Sequence, residues 1–230
     1  MSYPGKKYLF LLYFFRKGVS FLLEVRLFQE RGLVYKVLSL AFHTPSDSGA
    51  VDELVKLLPL LRSVQELRLD AGTLELFTGS WIEALSIPRE GLLVEYTRLF
   101  VNDCPHLACP PYETYWRDGE RTIYGSGYSS LLEIYRTAGL EPSPIARQPI
   151  EHVALELELM HYLVLRSLED ESFLCLQERL FKDHISVWAE PYASCLESHA
   201  LLENYRASAR LLREVAELEE MFFATRNFCR

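Results

Sequence analysis

Basic residues are in short supply in this chain, with 24 Lys and Arg against 32 Asp and Glu and a formal net charge of -8. Phosphate binding is driven by Lys and Arg, so the balance argues against a nucleic-acid partner. It suits a basic peptide or a basic protein, and it is equally the ordinary surface of a soluble cytoplasmic protein. Period-two alternation is missing over any strand's length, as are internal repeats and low-complexity tracts. No apolar run is long enough to cross a bilayer as a helix; the longest near the N-terminus, Tyr8 to Phe15, is too short and is closed by Arg16 and Lys17. No small-x-small cleavage site follows it, so residues 1–20 read as an interaction arm or an upstream extension. The five cysteines, Cys104, Cys109, Cys175, Cys195 and Cys229, form no small-scaffold pattern and are expected to be reduced thiols.

Apolar residues make up 49% of the 230 residues, a globular composition with enough chain for one full core. Their spacing is helical. Leu23, Leu27, Val34, Val37, Leu38 and Ala41 recur at near-helical steps within residues 21–42. Asp47 or Ser48 is placed to cap a second helix, which Pro59 should split or kink. Residues 73–86 form a further helix around Trp81. Pro88 opens another, carrying Leu92, Leu93, Tyr96, Leu99 and Phe100. Asn102 to Gly127 is the longest irregular stretch. A helix from Tyr128 ends at Gly139, and Glu141-Pro142-Ser143-Pro144 is a stiff connector or hinge. The segment from Pro149 to about Leu168 is apolar on two faces, as in the middle of a bundle: Ile150, Val153, Leu157, Met160, Val164 and Leu168 on one side, Leu155, Leu159 and Leu163 on the other. Helices near 172–189 and 198–223 complete an all-α, single-domain helical bundle over residues 21–230.

Chemistry-bearing residues are few. With Gln148 as N-cap, Glu151 is the third helical position and reaches back to the cap amide. His152 is then either paired with Glu156, one turn on, or a neutral group facing a pocket. Glu158-Leu159-Met160-His161 is a single E-x-x-H element, and a carboxylate-bridged metal pair needs two. Cys104 and Cys109 have no second ligand pair at zinc spacing, so no metal is expected. Gly125-Ser126-Gly127 lacks the strand and lysine of a phosphate loop, and no serine sits in a nucleophile elbow. No cofactor and no catalytic residue is assigned.

Four pieces, in order, carry a resemblance: Tyr96-x-x-Leu99-Phe100; Cys109-Pro110-Pro111-Tyr112-Glu113-Thr114; Pro149-x-Glu151-His152 with Leu155, Leu159 and Met160 after it; and Phe181-x-x-His184-x-x-x-Trp188. In these the chain resembles the TorD/DmsD/NarJ-type chaperones, the all-helical redox enzyme maturation proteins that assist molybdoenzyme assembly. Gln148 stands where the family pattern has glutamate, and Glu151 where it has aspartate. The resemblance implies binding, not turnover: the cytoplasmic protein holds the twin-arginine-type leader of an apo-reductase catalytic subunit until the cofactor is inserted and the client can be exported. It also implies a site built from Tyr96, Leu99, Phe100, Pro110, Pro111, Tyr112, Glu151 and His152. The first three would be an apolar groove wall and Glu151 a carboxylate for arginine. A monomer or a homodimer, swapped at the 141–144 hinge, fits such a fold. The competing readings are a helical metalloprotein using Glu158 and His161, and an assembly subunit of a membrane redox complex docked through the N-terminal arm.

Overall fold

Residues 27–41 repeat apolar side chains at helical steps because they lie in a long helix, α1 (Val19–Phe42), whose Val34, Val37, Leu38 and Ala41 are fully buried. The computed structural model describes residues 19–102, 107–119, 123–142, 148–225 and 228–229. The Tyr8–Phe15 run and Cys104 lie outside them.

Asp47 caps α2 (Ser48–Leu57) by accepting from the amides of Gly49 and Ala50 at 2.9 and 3.2 Å. Pro59 converts the continuation into a 3-10 turn, Leu58–Ser63. Helices α3 (Ala71–Ser86) and α4 (Arg89–Phe100) follow, with Asp70 capping the first. A six-residue helix, α5 (Glu113–Asp118), interrupts the stretch that reads as irregular in the sequence. Helix α6 (Tyr128–Thr137) ends at Gly139, whose φ of 78° supplies the left-handed turn that the cap requires.

The central helix, α7 (Val153–Ser167), is buried along Val153, Leu157, Met160 and Val164 and also along Leu159 and Leu163. Helix α1 covers one of its flanks. The two backbones approach at Gly32, where a Cβ would lie 3.0 Å from Leu165 Cδ2. Polar contacts lock the crossing: His161 Nδ1 donates to the Gly32 carbonyl at 2.8 Å, and Lys36 Nζ donates to Glu158 at 2.9 Å. The E-x-x-H pair of the sequence therefore holds α1 through two separate partners.

Residues 173–199 form one rod made of α8 (Phe173–Leu180), a π turn at Phe181–Ile185 and α9 (Ser186–His199). Pro191 is accommodated within α9. Helix α10 (Glu203–Ala224) packs on α9 and α3. Among the described residues there is no strand, only one isolated bridge between Tyr112 and His152. The fold is all-α, as the periodicity predicts.

The expectation of reduced thiols is corrected. Cys109 is joined to Cys195, and Cys175 to Cys229. Separations of 86 and 54 residues hide both pairs from any reading of local spacing. Tertiary packing alone brings their Cα atoms to 5.9 and 4.7 Å.

Candidate functional site

Three of the four sequence motifs meet at the N-terminus of α7. Pro111 and Tyr112 run antiparallel to the helix entrance: the Glu113 amide donates to the Glu151 carbonyl and the Val153 amide to the Pro111 carbonyl, both at 3.0 Å. This two-bond bridge stitches the Pro-Pro-Tyr-Glu loop to the Glu-His pair. The Tyr112 ring packs edge-on against His152 at 5.4 Å, and its hydroxyl reaches Gln148 Oε1 at 3.4 Å.

The helix begins four residues later than Pro149 suggests. His152 is the N-cap, with ψ at 130°, and its Nδ1 accepts from the Ala154 amide at 3.2 Å. That bond fixes the tautomer: Nδ1 is bare and the proton sits on Nε2, a buried donor with no partner among the described residues. Burial, reinforced by the nearby His43, lowers the His152 pKa to about 3. Of the two readings left open for His152, the pairing with Glu156 is not made: Glu156 turns to Trp188.

Glu151 is freed from capping and does something else. Its side chain, 1% exposed, accepts from Thr114 Oγ1 at 2.6 Å and from the Tyr124 amide at 2.7 Å. Tyr124 has a φ of 66°, a left-handed conformation that a bulky side chain adopts only under constraint. The carboxylate of Glu151 therefore holds a strained residue in place. The glycines around Tyr124 serve the same packing. A Cβ on Gly125 would fall 2.4 Å from Thr114 Cγ2, and one on Gly127 would fall 2.7 Å from Glu113 Oε1. They allow the loop to lie on α5.

The fourth motif closes the interlock from the α8–α9 rod. His184, in the π turn, donates from Nδ1 to both oxygens of Glu113 at 3.0 Å and contacts Ser130 through Nε2 at 3.2 Å. Arg117 adds a bond to Glu113 at 2.7 Å and another to the Asp183 carbonyl. Burial alone would raise the Glu113 pKa, but the hydrogen bonds and charge of His184 and Arg117 hold it below the usual carboxylate range. Trp188 Nε1 donates to Glu156 Oε2 at 2.8 Å. Burial first, then the Glu113 charge, raises the Glu156 pKa well above its ordinary value. Two carboxyls so placed divide their roles, with Glu113 charged and Glu156 a neutral acid.

The raised Glu156 pKa has a testable sign. The folded state takes up a proton that the unfolded state has lost, so Glu156 costs stability as the pH rises above about 4.5. Gln copies the neutral acid and keeps the Trp188 bond. The Glu156→Gln variant should gain about 1–3 kcal/mol at pH 7 and nothing at pH 4, read from urea unfolding at both values. A loss at pH 7 would refute the assignment.

The predicted groove wall is part of the core. Tyr96, Leu99 and Phe100 are 3%, 0% and 3% exposed. Phe100 packs against Phe42, Tyr96, Tyr192 and Tyr205 with ring centroids 5.0–6.5 Å apart. Pro110 and Pro111 are buried as well, and Glu151 and His152 show almost no surface. None of these residues lines an open groove.

The open surface lies next to them. A cleft of about 720 Å³ runs between the 123–128 loop, α6, the Glu141-Pro142 hinge and α7. Tyr124, Tyr128, Tyr135, Ile150, Leu155 and Tyr162 give it apolar and aromatic walls, and Glu141, Glu158 and Gln148 are its polar edges. Tyr124 and Ile123 are 59% and 41% exposed at its mouth, and Tyr124 meets Tyr128 edge-on at 4.8 Å. Residue spacing could not single out these tyrosines, because they come from a loop and two helices. The available hint was the 102–127 irregular stretch, which contains Tyr124 and runs directly into Tyr128.

The site thus combines an all-helical scaffold, a buried polar interlock and an aromatic cleft with acidic edges. The model of the nitrate reductase delta subunit family matches residues 64–194, and the chain belongs to that family, the NarJ/TorD group. It is 23% identical over 126 residues to the chaperone protein TorD of Psychrobacter sp. (strain PRwf-1), which is 53% of this chain and 57% of that one. The chain thus aligns with little more than half of that curated relative. Its fold also matches the crystal structure of a protein described as a redox enzyme maturation protein of Archaeoglobus fulgidus. That match has a TM-score of 0.54 and 26% identity, and covers 79% of this chain and 93% of that one. The first of these relatives is named a chaperone and the second a maturation protein.

Proposed function

We propose that this chain is a cytoplasmic maturation chaperone that binds the twin-arginine-type leader of an apo molybdoenzyme catalytic subunit and assists cofactor insertion before export. Family membership supports the client class. The observation that carries the leader-binding part is the cleft beside the interlock, with the strained Tyr124 held at its mouth by Glu151. An apolar leader segment matches the tyrosine walls. A pair of arginines matches the edge carboxylates of Glu141 and Glu158, which are 75% and 39% exposed. Glu158 already holds Lys36 at 2.9 Å, so a guest arginine would compete with or join that pair.

On this reading the residues singled out by resemblance divide into two roles. Tyr112, Glu151 and His152 position the cleft, with Pro110 and Pro111 shaping the loop that carries Tyr112. Tyr96, Leu99 and Phe100 anchor the core beneath. Residues 21–230 form the chaperone domain and residues 1–20 its extension. Among the described residues no helix is long and apolar enough to cross a membrane.

Calorimetric titration of synthetic twin-arginine leaders tests the proposal. Micromolar binding is expected for at least one molybdoenzyme leader of the source organism, and binding by none would overturn it. Tyr124→Ala removes an exposed ring without disturbing the core and should weaken binding by about 1–3 kcal/mol. Unchanged affinity would move the site elsewhere.

A further inference from the structure

The second pair of metal ligands missing from local spacing is supplied by the fold. Cys195-x-x-x-His199 lies one helical turn apart on α9 and packs directly on Cys109, at the root of the Pro-Pro-Tyr-Glu loop. Ligand atoms of Cys109, Cys195 and His199 all lie within 4.8 Å of one another. Around tetrahedral zinc, with Zn–S near 2.3 Å and Zn–N near 2.05 Å, adjacent sulfur and nitrogen ligands stand about 3.6 Å apart and two sulfurs about 3.8 Å. His199 Nδ1 is 3.7 Å from Cys195 Sγ, already at that spacing. The two sulfurs are closer because they are bonded to each other.

We propose that the reduced form of this chain binds a thiophilic divalent cation, Zn²⁺ in class, through Cys109, Cys195 and His199, with the disulfide as the oxidised, metal-free alternative. Disulfides are rare in the reducing compartment proposed for the protein, so the dithiol is the state in which this site would operate. Binding releases one proton from each thiol; His199 coordinates as neutral imidazole, its Nδ1 proton passing to Nε2 through solvent, and its present bond to the Cys195 carbonyl at 3.0 Å is exchanged for coordination. A fourth position remains for water or another ligand. Cys109 is fully buried, Cys195 part-buried and His199 at the surface, so the site has a protein floor and a route of entry. The Cys109 amide also bonds the Leu99 carbonyl at 2.9 Å. Metal or disulfide thus ties three elements together: the end of α4, the loop that leads into the α7 bridge, and the end of α9.

The test uses the full chain carrying Cys175→Ser and Cys229→Ser, which leaves this cysteine pair without competition from the second. A phosphine reduces the disulfide to two thiols; it is oxidised to its oxide with oxygen from water, which also supplies the two protons. Titration with Co²⁺ should give one equivalent bound and a thiolate-to-cobalt charge-transfer band that Zn²⁺ abolishes. Losing a direct ligand should cost more than the about 10–100-fold carried by outer-shell partners. Cys195→Ser and His199→Ala should therefore each weaken Zn²⁺ binding at least about tenfold. His199 is on the surface, so its variant stays folded whatever happens to the other. The unreduced protein should show no band. Absence of a stoichiometric band after reduction, equal binding before and after reduction, or wild-type affinity in His199→Ala would each overturn the proposal.

Discussion

His152→Asn is expected to flatten the acid limb of the stability curve. In the wild type, His152 Nδ1 must be bare to accept the Ala154 amide at 3.2 Å. Protonating it would break the cap, place a cation at the positive end of α7 and leave it buried beside His43. Burial, then His43, therefore lowers its pKa from 6.5 to about 3. Between those values the unfolded chain binds a proton that the folded chain refuses, so stability falls as the pH drops across the window. At about 1.36 kcal/mol per unit the ceiling of this loss is about 5 kcal/mol, complete only near pH 3. Asn is among the best N-cap residues and does not titrate. It gives up the edge-on contact with Tyr112, a cost of about 1 kcal/mol at pH 7. Urea unfolding at pH 7, 5 and 4 should show the variant slightly weaker at first and stronger at the end. Other acid-sensitive groups affect both proteins alike, so the difference isolates residue 152; parallel curves would remove His152 as the source.

The same residue shows where sequence and structure part. Helices that repeat apolar residues over three or more turns were legible from periodicity, and Asp47 and Gly139 mark their ends where expected. Pro149 was a misleading start signal. Its local logic made Glu151 a capping residue, but Thr114 and the Tyr124 amide claim that carboxylate from 37 and 27 residues away. His152 then caps instead. Likewise Glu113 with His184, and Glu156 with Trp188, pair across 71 and 32 residues, far beyond any helical repeat. The motifs announced their importance through resemblance, but not what they touch. Tyr96, Leu99 and Phe100 illustrate the opposite error. An apolar stripe at helical spacing reads the same whether it faces a groove or a core, and only the rings of Phe42, Tyr192 and Tyr205 packed over Phe100 decide it.

Glu219→Ala should destabilise the protein by about 3–5 kcal/mol. Arg31 and Glu219 are each 2% exposed, and the guanidinium meets the carboxylate through two bonds of 2.7 and 2.6 Å. A third donor reaches Gln177 Oε1 at 3.0 Å, and the cation lies 4.5 Å from the Phe222 ring centroid and 5.2 Å from that of Phe28. Removing the carboxylate leaves the positive charge among aromatic rings and one amide, with nothing of opposite sign in contact among the described residues. For a chain of this length the loss corresponds to a fall in Tm of roughly 6–20 °C, measurable by calorimetry. The double variant Arg31→Met with Glu219→Leu should recover most of it, because replacing both charges removes the desolvation cost along with the attraction. If the single variant falls by less than about 1 kcal/mol, the pair is not the fastening it looks like. The pair joins α1 to α10 and, through Gln177, to α8, and α1 in turn packs along α7, at whose entrance the interlock forms. The cleft residues do not touch it. Leader affinity of the folded protein, measured well below the lowered Tm, should therefore be unchanged in Glu219→Ala but reduced in Tyr124→Ala, which separates loss of the scaffold from loss of the site.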